Sequence, residues 1–569
     1  MRYVVAASLA SVISLCLAAG VNARPAVAAD AGFTLGDVTV LSAPDLSKVK
    51  ADDAKVIGGA YRYGVQIPVQ NMRMGEAGFG DWTRSAKGQS TWTFKMVSPG
   101  ARSIDMHFSK LVLPSSATLV ISGEGEGNQR FIDASQLSSS DFWSPYVTGE
   151  KVTLQVIVDS AQRGRVQLEL ASVTHGYRGL FEQNDGALKS GSCNVDTICA
   201  TGNAWRDQID AVGQYTFSKG GSSYVCTGTL LANTSNTTTP YFLTANHCMS
   251  TQTLASTIVV YWNYQSATCR TPGSTSSGTP LAKSIATHSQ SGSTLRATNS
   301  ASDFTLLQLS ATVPAAANPF FSGWDRGGTT PSSAAGIHHP SGHEKRIAIE
   351  NQALTISAYG GGSGSTHWRV NDWDEGTTEG GSSGSGLWNQ SKLIVGQLHG
   401  GSAACGNNLS DYYGRLSQSW TGGASNSTRL SNWLDSAASG ASTKAGYRSG
   451  TTPPPVGTTY SNTADYTISD NATVDSPITI SGRSGNASST TQVAVNIIHT
   501  YKGDLRVDVV APDGSIYNVH NRSGGSTDNI IATFTVNLSS EVANGTWKLR
   551  VNDNAGGDVG RIDSWSMTF

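Results

Sequence analysis

The chain has 569 residues, room for three or four domains of ordinary size. Its 39 basic and 41 acidic residues nearly cancel and charged residues make up only 14% of the chain, which argues against a nucleic-acid or polyanion partner. Glycine is abundant (63 residues), with many Ser, Thr and Asn, a composition that favours strands and turns over helices.

Residues 1–29 read as an export signal. Arg2 supplies positive charge and Val4 to Gly20 are mostly apolar. Small residues at Val21-Asn-Ala23 and Val27-Ala-Ala29 offer cleavage after 23 or after 29. The apolar run is short for a spanning helix and no later stretch is long enough, so the mature chain is expected to be extracellular and off the membrane. Cys16 follows Leu15 rather than a small residue, which argues against lipidation. Removing the signal leaves Cys193, Cys199, Cys226, Cys248, Cys269 and Cys405, even in number and confined to one stretch, which favours three disulfides. Spacing does not choose among the fifteen pairings. The lack of a Cys-x-x-Cys pair argues against a zinc site.

Residues 30–189 contain no cysteine. Ser90–Met96, Ala117–Ser122 and Lys151–Val158 are short, β-branched runs between polar breaks, as in an antiparallel β module. Gly186-Ala-Leu-Lys-Ser-Gly-Ser192 reads as an exposed joint. A cysteine-bearing region, 190–448, follows. Residues 449–459 are a Pro/Gly/Thr spacer expected to stay extended. In 460–569, strand-like stretches at Gln492–Ile498, Leu505–Val510 and Trp547–Val551, separated by Pro512-Asp-Gly514 and Asn544-Gly545, suit a β-sandwich.

The middle region carries three signatures in chain order. His247 ends the run Tyr241-Phe-Leu-Thr-Ala-Asn-His-Cys248, Asp303 precedes Phe-Thr-Leu-Leu307, and Ser383 lies in Glu379-Gly-Gly-Ser-Ser-Gly-Ser-Gly386. A serine hydroxyl is a poor nucleophile near neutral pH unless an imidazole takes its proton and a carboxylate orients that imidazole. Asp303, at the edge of an apolar strand, is costly to bury without a partner such as an imidazole N–H. The glycines around Ser383 permit a tight turn in which the amides of Gly381 and Ser383 form an oxyanion hole. Each signature alone has an ordinary reading: a core histidine, a turn aspartate, a Ser/Gly linker. Together they indicate a serine peptidase.

These residues closely resemble the lysyl endopeptidase family of secreted bacterial serine proteases, a branch of the chymotrypsin-like clan. The likeness extends to Cys193-Asn-Val-Asp, Val259-Val-Tyr-Trp-Asn-Tyr-Gln265, Gly336-Ile-His-His-Pro340, Gly396-Gln-Leu-His-Gly-Gly401 and Asp411-Tyr-Tyr-Gly-Arg415. It implies an all-β fold: a chymotrypsin-like double β-barrel flanked by a β-rich propeptide and a C-terminal β-sandwich. It also implies the triad His247, Asp303 and Ser383, and disulfides Cys193–Cys405, Cys199–Cys269 and Cys226–Cys248.

A pocket for a lysine side chain needs a carboxylate to meet the ammonium. The place that holds this acid in trypsin-like enzymes is Thr377 here. The resemblance assigns the role to Asp411, with Asp372, Asp374, Glu375 and Glu379 taken as solvated loop acids. A compact ammonium suits one carboxylate and a guanidinium prefers a bidentate fork, so lysine is the expected substrate residue, and an arginine-selective or broader trypsin-like peptidase is the alternative. His399 matches a family histidine behind the catalytic aspartate. Tyr359 stands where the family has a tryptophan stacked on that histidine. Ser190-Gly-Ser-Cys is not the Ile-Val-Gly-Gly type of new N-terminus, and Ser382 replaces the aspartate that would hold one, so a zymogen switch through that ion pair is not expected. Lys189-Ser190 fits self-cleavage, and 30–189 sits where the family carries a propeptide expected to assist folding and block the site.

His343-Glu-Lys-Arg-Ile lacks the second histidine of a zinc-peptidase helix, so His338, His339, His343 and Glu344 are not read as a metal site. The last region resembles the P domain of proprotein convertases. There Asp504, Asp553 and Asp558 offer oxygen ligands for calcium, turn carboxylates being an equal reading, and no metal is assigned. No cofactor is expected. Protein and peptide substrates and a monomer are. The competing class is a secreted adhesion protein with an inactive protease domain.

Overall fold

A computed structural model describes residues 38–55, 58–85, 88–125, 127–180, 190–270, 288–448, 459–481, 486–488 and 491–568. Residues 1–29, read above as an export signal, Lys189 and the spacer up to 458 lie outside them.

The N-terminal region is β-rich because its runs alternate. Gln89–Val97 turns Trp92, Phe94 and Met96 inward, and its partner Lys151–Asp159 turns in Val152, Leu154, Val156 and Val158. These side chains share one core with Met106, Phe108 and Leu170 from Ser103–Val112 and Gln167–Gly176. Strand Tyr61–Pro68 belongs to two bodies. One edge pairs with Gln167–Gly176, the other with Ser222–Leu231 of the cysteine-bearing region. A single 12-stranded sheet therefore runs from the N-terminal region into the first barrel.

That barrel continues through Val212–Lys219, Tyr241–Ala245, Val259–Trp262, Ser293–Asn299 and Phe304–Leu309, all antiparallel. Its core holds Tyr215, Phe217, Phe242, Trp262 and Leu307. The second barrel is a 10-stranded sheet including Ala334–His338, Arg346–Glu350, His367–Val370, Gly386–Asn389, Ile394–Gly401 and Asp411–Arg415. Leu243, Phe304 and Leu306 of the first barrel pack with Ile337, Trp388 and Leu416 of the second half, so one apolar core joins the two barrels.

Three bridges tie the two barrels' surroundings: Cys193–Cys405, Cys199–Cys269 and Cys226–Cys248, separated by 212, 70 and 22 residues. Buried Arg346 pairs with Asp196 and Glu344 and so holds the start of the cysteine-bearing region to the second barrel.

Residues 459–568 form a sandwich of a five-stranded and a four-stranded sheet around Val493, Val495, Val507, Trp547, Leu549 and Trp565. Asp553 is buried beside His499 (3.3 Å), Asp558 accepts from Thr500 (2.6 Å), and the carbonyl of Asp504 accepts from the amide of Asn554 (3.0 Å), so the three acids answer to different local partners. No described helix is long and apolar enough to cross a membrane.

Candidate active site

His247 and Asp303 come together at the ends of paired strands. Tyr241–Ala245 and Phe304–Leu309 lie antiparallel, Ala245 opposite Phe304, so the residues just beyond each end face one another. Asp303 is 2% exposed. Its Oδ2 accepts from His247 Nδ1 (2.8 Å), its Oδ1 from the His247 amide (2.9 Å), and its carbonyl from the Asn246 amide (2.8 Å). These bonds offset the cost of the left-handed φ of 53° at Asp303, a conformation aspartate tolerates better than most residues. The bridge from Cys248 to Cys226 fixes the chain immediately after His247. With Nδ1 donating to the carboxylate, Nε2 is the nitrogen left to take a proton.

Ser383 arrives from the second barrel. Its carbonyl accepts from Thr227 (2.9 Å), and the Thr227 hydroxyl donates to the Gly381 carbonyl (2.9 Å). Gly384 lies so close to the histidine strand that a Cβ there would stand 2.2 Å from Thr244 Oγ1 and 2.8 Å from the Ala245 nitrogen. Gly381 has φ +91°, left-handed backbone that glycine adopts without penalty. Ser382 bonds His338 Nδ1 (2.8 Å), which pins the loop without an ion pair. Among the described residues no hydrogen bond joins Ser383 Oγ to the His247 ring, whose Nε2 lies 3.7 Å from Cys248 Sγ. Such contacts commonly tighten only when substrate binds.

The Gly381 amide already has a partner. It donates to the carbonyl of Gly59 in the N-terminal region (2.8 Å). A Cβ built on Gly380 would lie 3.7 Å from that same oxygen, and one built on Gly58 would lie 3.9 Å from the Gly401 carbonyl. Residues 58–59 therefore run between the serine loop and the end of the Ile394–Gly401 strand. Asp53, just upstream, is held by Arg62 (2.6 Å), Arg178 (3.1 Å) and Tyr177 (2.5 Å).

Asp411 lies opposite Gly401 and is 1% exposed. Its Oδ2 accepts from Trp373 Nε1 (2.8 Å) and Thr378 Oγ1 (2.7 Å). Oδ1 is buried without a hydrogen bond of standard geometry, and a Cβ on Gly401 would stand 2.3 Å from it. Burial raises the carboxyl above its ordinary value, opposed by Trp373, Thr378 and the Ala403 amide.

His399 is aimed by a bulge. Leu398 pairs with Tyr413 and Gly400 with Tyr412, which leaves His399 as the extra residue. Its Nε2 lies 3.8 Å from Asp303 Oδ2, its ring faces His247 at 5.6 Å, and Tyr359 stacks on it at 3.7 Å and 14°. His247, Asp303 and His399 also form the one described His/Asp group whose atoms lie within 4.8 Å of one another.

Glu379 departs from the solvated-acid reading. It accepts from the Gly191 amide (2.6 Å), Asn194 Nδ2 (2.7 Å) and Ser341 Oγ (2.6 Å), while the amide of buried Ser190 donates to His343 Nδ1 (2.7 Å). The first residues after Lys189 are thus fastened to the start of the serine loop. The sequence reading missed this link, Gly59, Trp373, Thr378 and a second histidine, His367. None carries a local motif, and each is distant in sequence from what it touches.

Comparison with known proteins gives three family matches: "Lysyl endopeptidase N-terminal domain" over 37–177, "Lysyl endopeptidase, C-terminal domain" over 187–414 and "Proprotein convertase P-domain" over 488–569. The chain carries both lysyl endopeptidase domains, followed by a P domain. The match over 187–414 lies on the two barrels described above. "Lysyl endopeptidase" of Pseudomonas aeruginosa is 30% identical over 318 residues, 52% of this chain and 65% of that protein. "Leupeptin-inactivating enzyme 1" of Streptomyces exfoliatus is 62% identical over 120 residues, 21% of this chain and 27% of its own. "Transglutaminase-activating metalloprotease" of Streptomyces mobaraensis is 47% identical over 115 residues, 20% of this chain and 15% of its own. The chain spans less than two thirds of the length of each of these relatives.

Proposed function

We propose that this lysyl endopeptidase-family chain is the precursor of a secreted serine endopeptidase that cleaves on the C-terminal side of lysine. The observation that carries the lysine reading is the state of Asp411: Oδ2 is capped by Trp373 and Thr378, and Oδ1 is buried beside Gly401 without a hydrogen bond of standard geometry. A carboxylate presenting one oxygen matches a compact ammonium better than a bidentate guanidinium.

The chemistry follows from the residues. Ser383 Oγ attacks the carbonyl carbon after lysine while His247 Nε2 takes its proton. The carbonyl oxygen becomes an oxyanion held by the amides of Gly381 and Ser383. The imidazolium, steadied by Asp303, returns the proton to the leaving amine, and an acyl-Ser383 ester remains. Water, deprotonated by His247, then releases the lysine carboxylate and frees the serine.

The N-terminal region is the removable inhibitor in this reading. The Gly59 carbonyl sits on the amide that the oxyanion requires, and Lys189-Ser190 is the self-cleavage site. The mature enzyme acts as a monomer on protein and peptide substrates, outside the cell and off the membrane.

Matched peptides with Lys or Arg at the cleaved position test the selectivity. Equal rates sink it. Labelling with a serine-directed phosphonate, lost in Ser383→Ala, tests the enzyme reading, and no label on the processed wild type refutes it. A mature chain starting elsewhere than Ser190 removes the proposed cleavage site.

A further inference from the structure

Behind the triad lies a second pair of imidazoles. His367, on the strand His367–Val370, places Nε2 3.0 Å from His399 Nδ1, and its own Nδ1 lies 2.8 Å from the Thr366 hydroxyl. The rings of His367 and His399 are 5.1 Å apart. His367 is 1% exposed.

The direction of the protons in this chain is set at its inner end. His399 Nε2 faces the Asp303 carboxylate, beyond hydrogen-bond range at 3.8 Å but within ion-pair range. A lone pair there would meet negative charge, so Nε2 carries the hydrogen. Neutral His399 then has only Nδ1 as acceptor, and His367 Nε2–H donates to it. His367 Nδ1 in turn accepts from the Thr366 hydroxyl. The reverse order turns a lone pair toward the carboxylate.

We propose that His367 is a positioning residue for the proposed catalysis: its N–H occupies the single site at which His399 can gain a second proton, and so keeps His399 uncharged beside His247. The need for this is electrostatic. His247 must become an imidazolium in the transition state, and a cationic ring at 5.6 Å would oppose that charge.

The surroundings agree. Besides His367, His399 faces Asp303, His247 and the neutral Tyr359 ring, and Tyr412 borders Tyr359. Asp411 lies on the neighbouring strand and acts on Tyr359. The cations of the adjoining strands are engaged elsewhere: Arg415 with the carbonyls of Ser365 and Gly328, Arg369 with Ser410. Burial pushes His367 down to about 4, with His399 adding to the shift and Asp303 opposing it. Burial also lowers His399, helped by His247 and opposed by Asp303.

This inference rests on the triad reading, and its first test does not use activity. In the full chain carrying Ser383→Ala, two-bond 15N–1H correlation spectra report the tautomer of each histidine. His399 is expected to stay neutral, with hydrogen on Nε2 and a hydrogen-bonded Nδ1, from pH 8 to pH 5. Titration of His399 near its ordinary value of about 6.5, or hydrogen on Nδ1, overturns the proposal. The second test compares His367→Leu with His367→Gln, which keeps an N–H donor, by kcat/KM across pH on a lysyl peptide. The leucine variant is expected to lose about tenfold more activity at pH 6 than at pH 8.5 relative to wild type. The glutamine variant is expected to restore the wild-type profile. Identical profiles for the two variants, or a uniform loss at every pH, mean that His367 is packing alone. Should His367→Leu fail to fold, Thr366→Val, which removes only the outer hydroxyl, is expected to move the acid limb in the same direction, and an unchanged limb counts against the relay.

Discussion

Replacing Asp411 by Asn tests the lysine pocket while leaving its shape almost intact. The asparagine oxygen can accept from Trp373 and Thr378, as Oδ2 does now, and this puts the NH2 group at the Oδ1 position beside Gly401. An N–H donor would then meet the substrate ammonium where a carboxylate had been. Truncating one partner of a buried, hydrogen-bonded charge pair costs roughly 2–5 kcal/mol, and Asp411 is 1% exposed, so little solvent screening softens the change. At about 1.4 kcal/mol per tenfold, kcat/KM for a lysyl peptide should fall by about 30-fold to several thousand-fold. A peptide with norleucine in place of lysine carries no charge to lose and should be cleaved as well as before, or better. The ratio of the two rates is therefore the readout. The wild type adds a pH dependence of known sign. Burial raises the Asp411 carboxyl above its ordinary 3.8, so its charge is present above the raised value and is lost as pH falls through it. Lysine preference over norleucine should decay at mildly acidic pH, ahead of an exposed carboxylate. A loss under twofold in Asp411→Asn, or equal losses on both peptides, refutes the reasoning.

Asp303→Asn should lower kcat by about 10,000-fold with the fold intact, because an amide N–H facing His247 Nδ1 selects the wrong tautomer; a change under tenfold in the processed enzyme would remove Asp303 from the triad. Asp53→Ala, made with Lys189→Gln to block processing, frees Arg62, Arg178 and Tyr177 and loosens the segment that carries Gly59, so the uncleaved chain should gain about tenfold in peptidase activity over Lys189→Gln alone. No gain in turnover of the unprocessed chain would mean that Gly59 does not hold the site shut. Converting Cys226 and Cys248 together to serine should cost about 2–4 kcal/mol by urea unfolding, and kcat should fall as well because the chain next to His247 is released. An unchanged midpoint would show the bridge to be dispensable.

The catalytic motifs are readable one at a time because each is a local exception to its surroundings. Thr-Ala-Asn-His-Cys puts an imidazole and a cysteine at the end of an apolar strand, Ser302-Asp303 puts an acid at the start of another, and glycines bracket Ser383. The β character of all three regions was equally legible, since alternation such as that of Gln89–Val97 expresses which face meets the core. Glu379 read wrongly as a solvated acid because nothing in the serine loop reveals that residues 190–194 return to it.

Composition, the export-like start, the three motifs and the strand periodicities belong to the linear chain, because each arises from neighbours within a few residues. Tertiary structure alone decided that Gly59 meets Gly381, that Asp411 is buried with Oδ2 held by Trp373 and Thr378, and that His367 stands behind His399. These contacts join strand ends and loops distant in sequence, where a hydrogen bond depends on register and a single bulge, and no periodicity in the chain encodes the partner across the sheet.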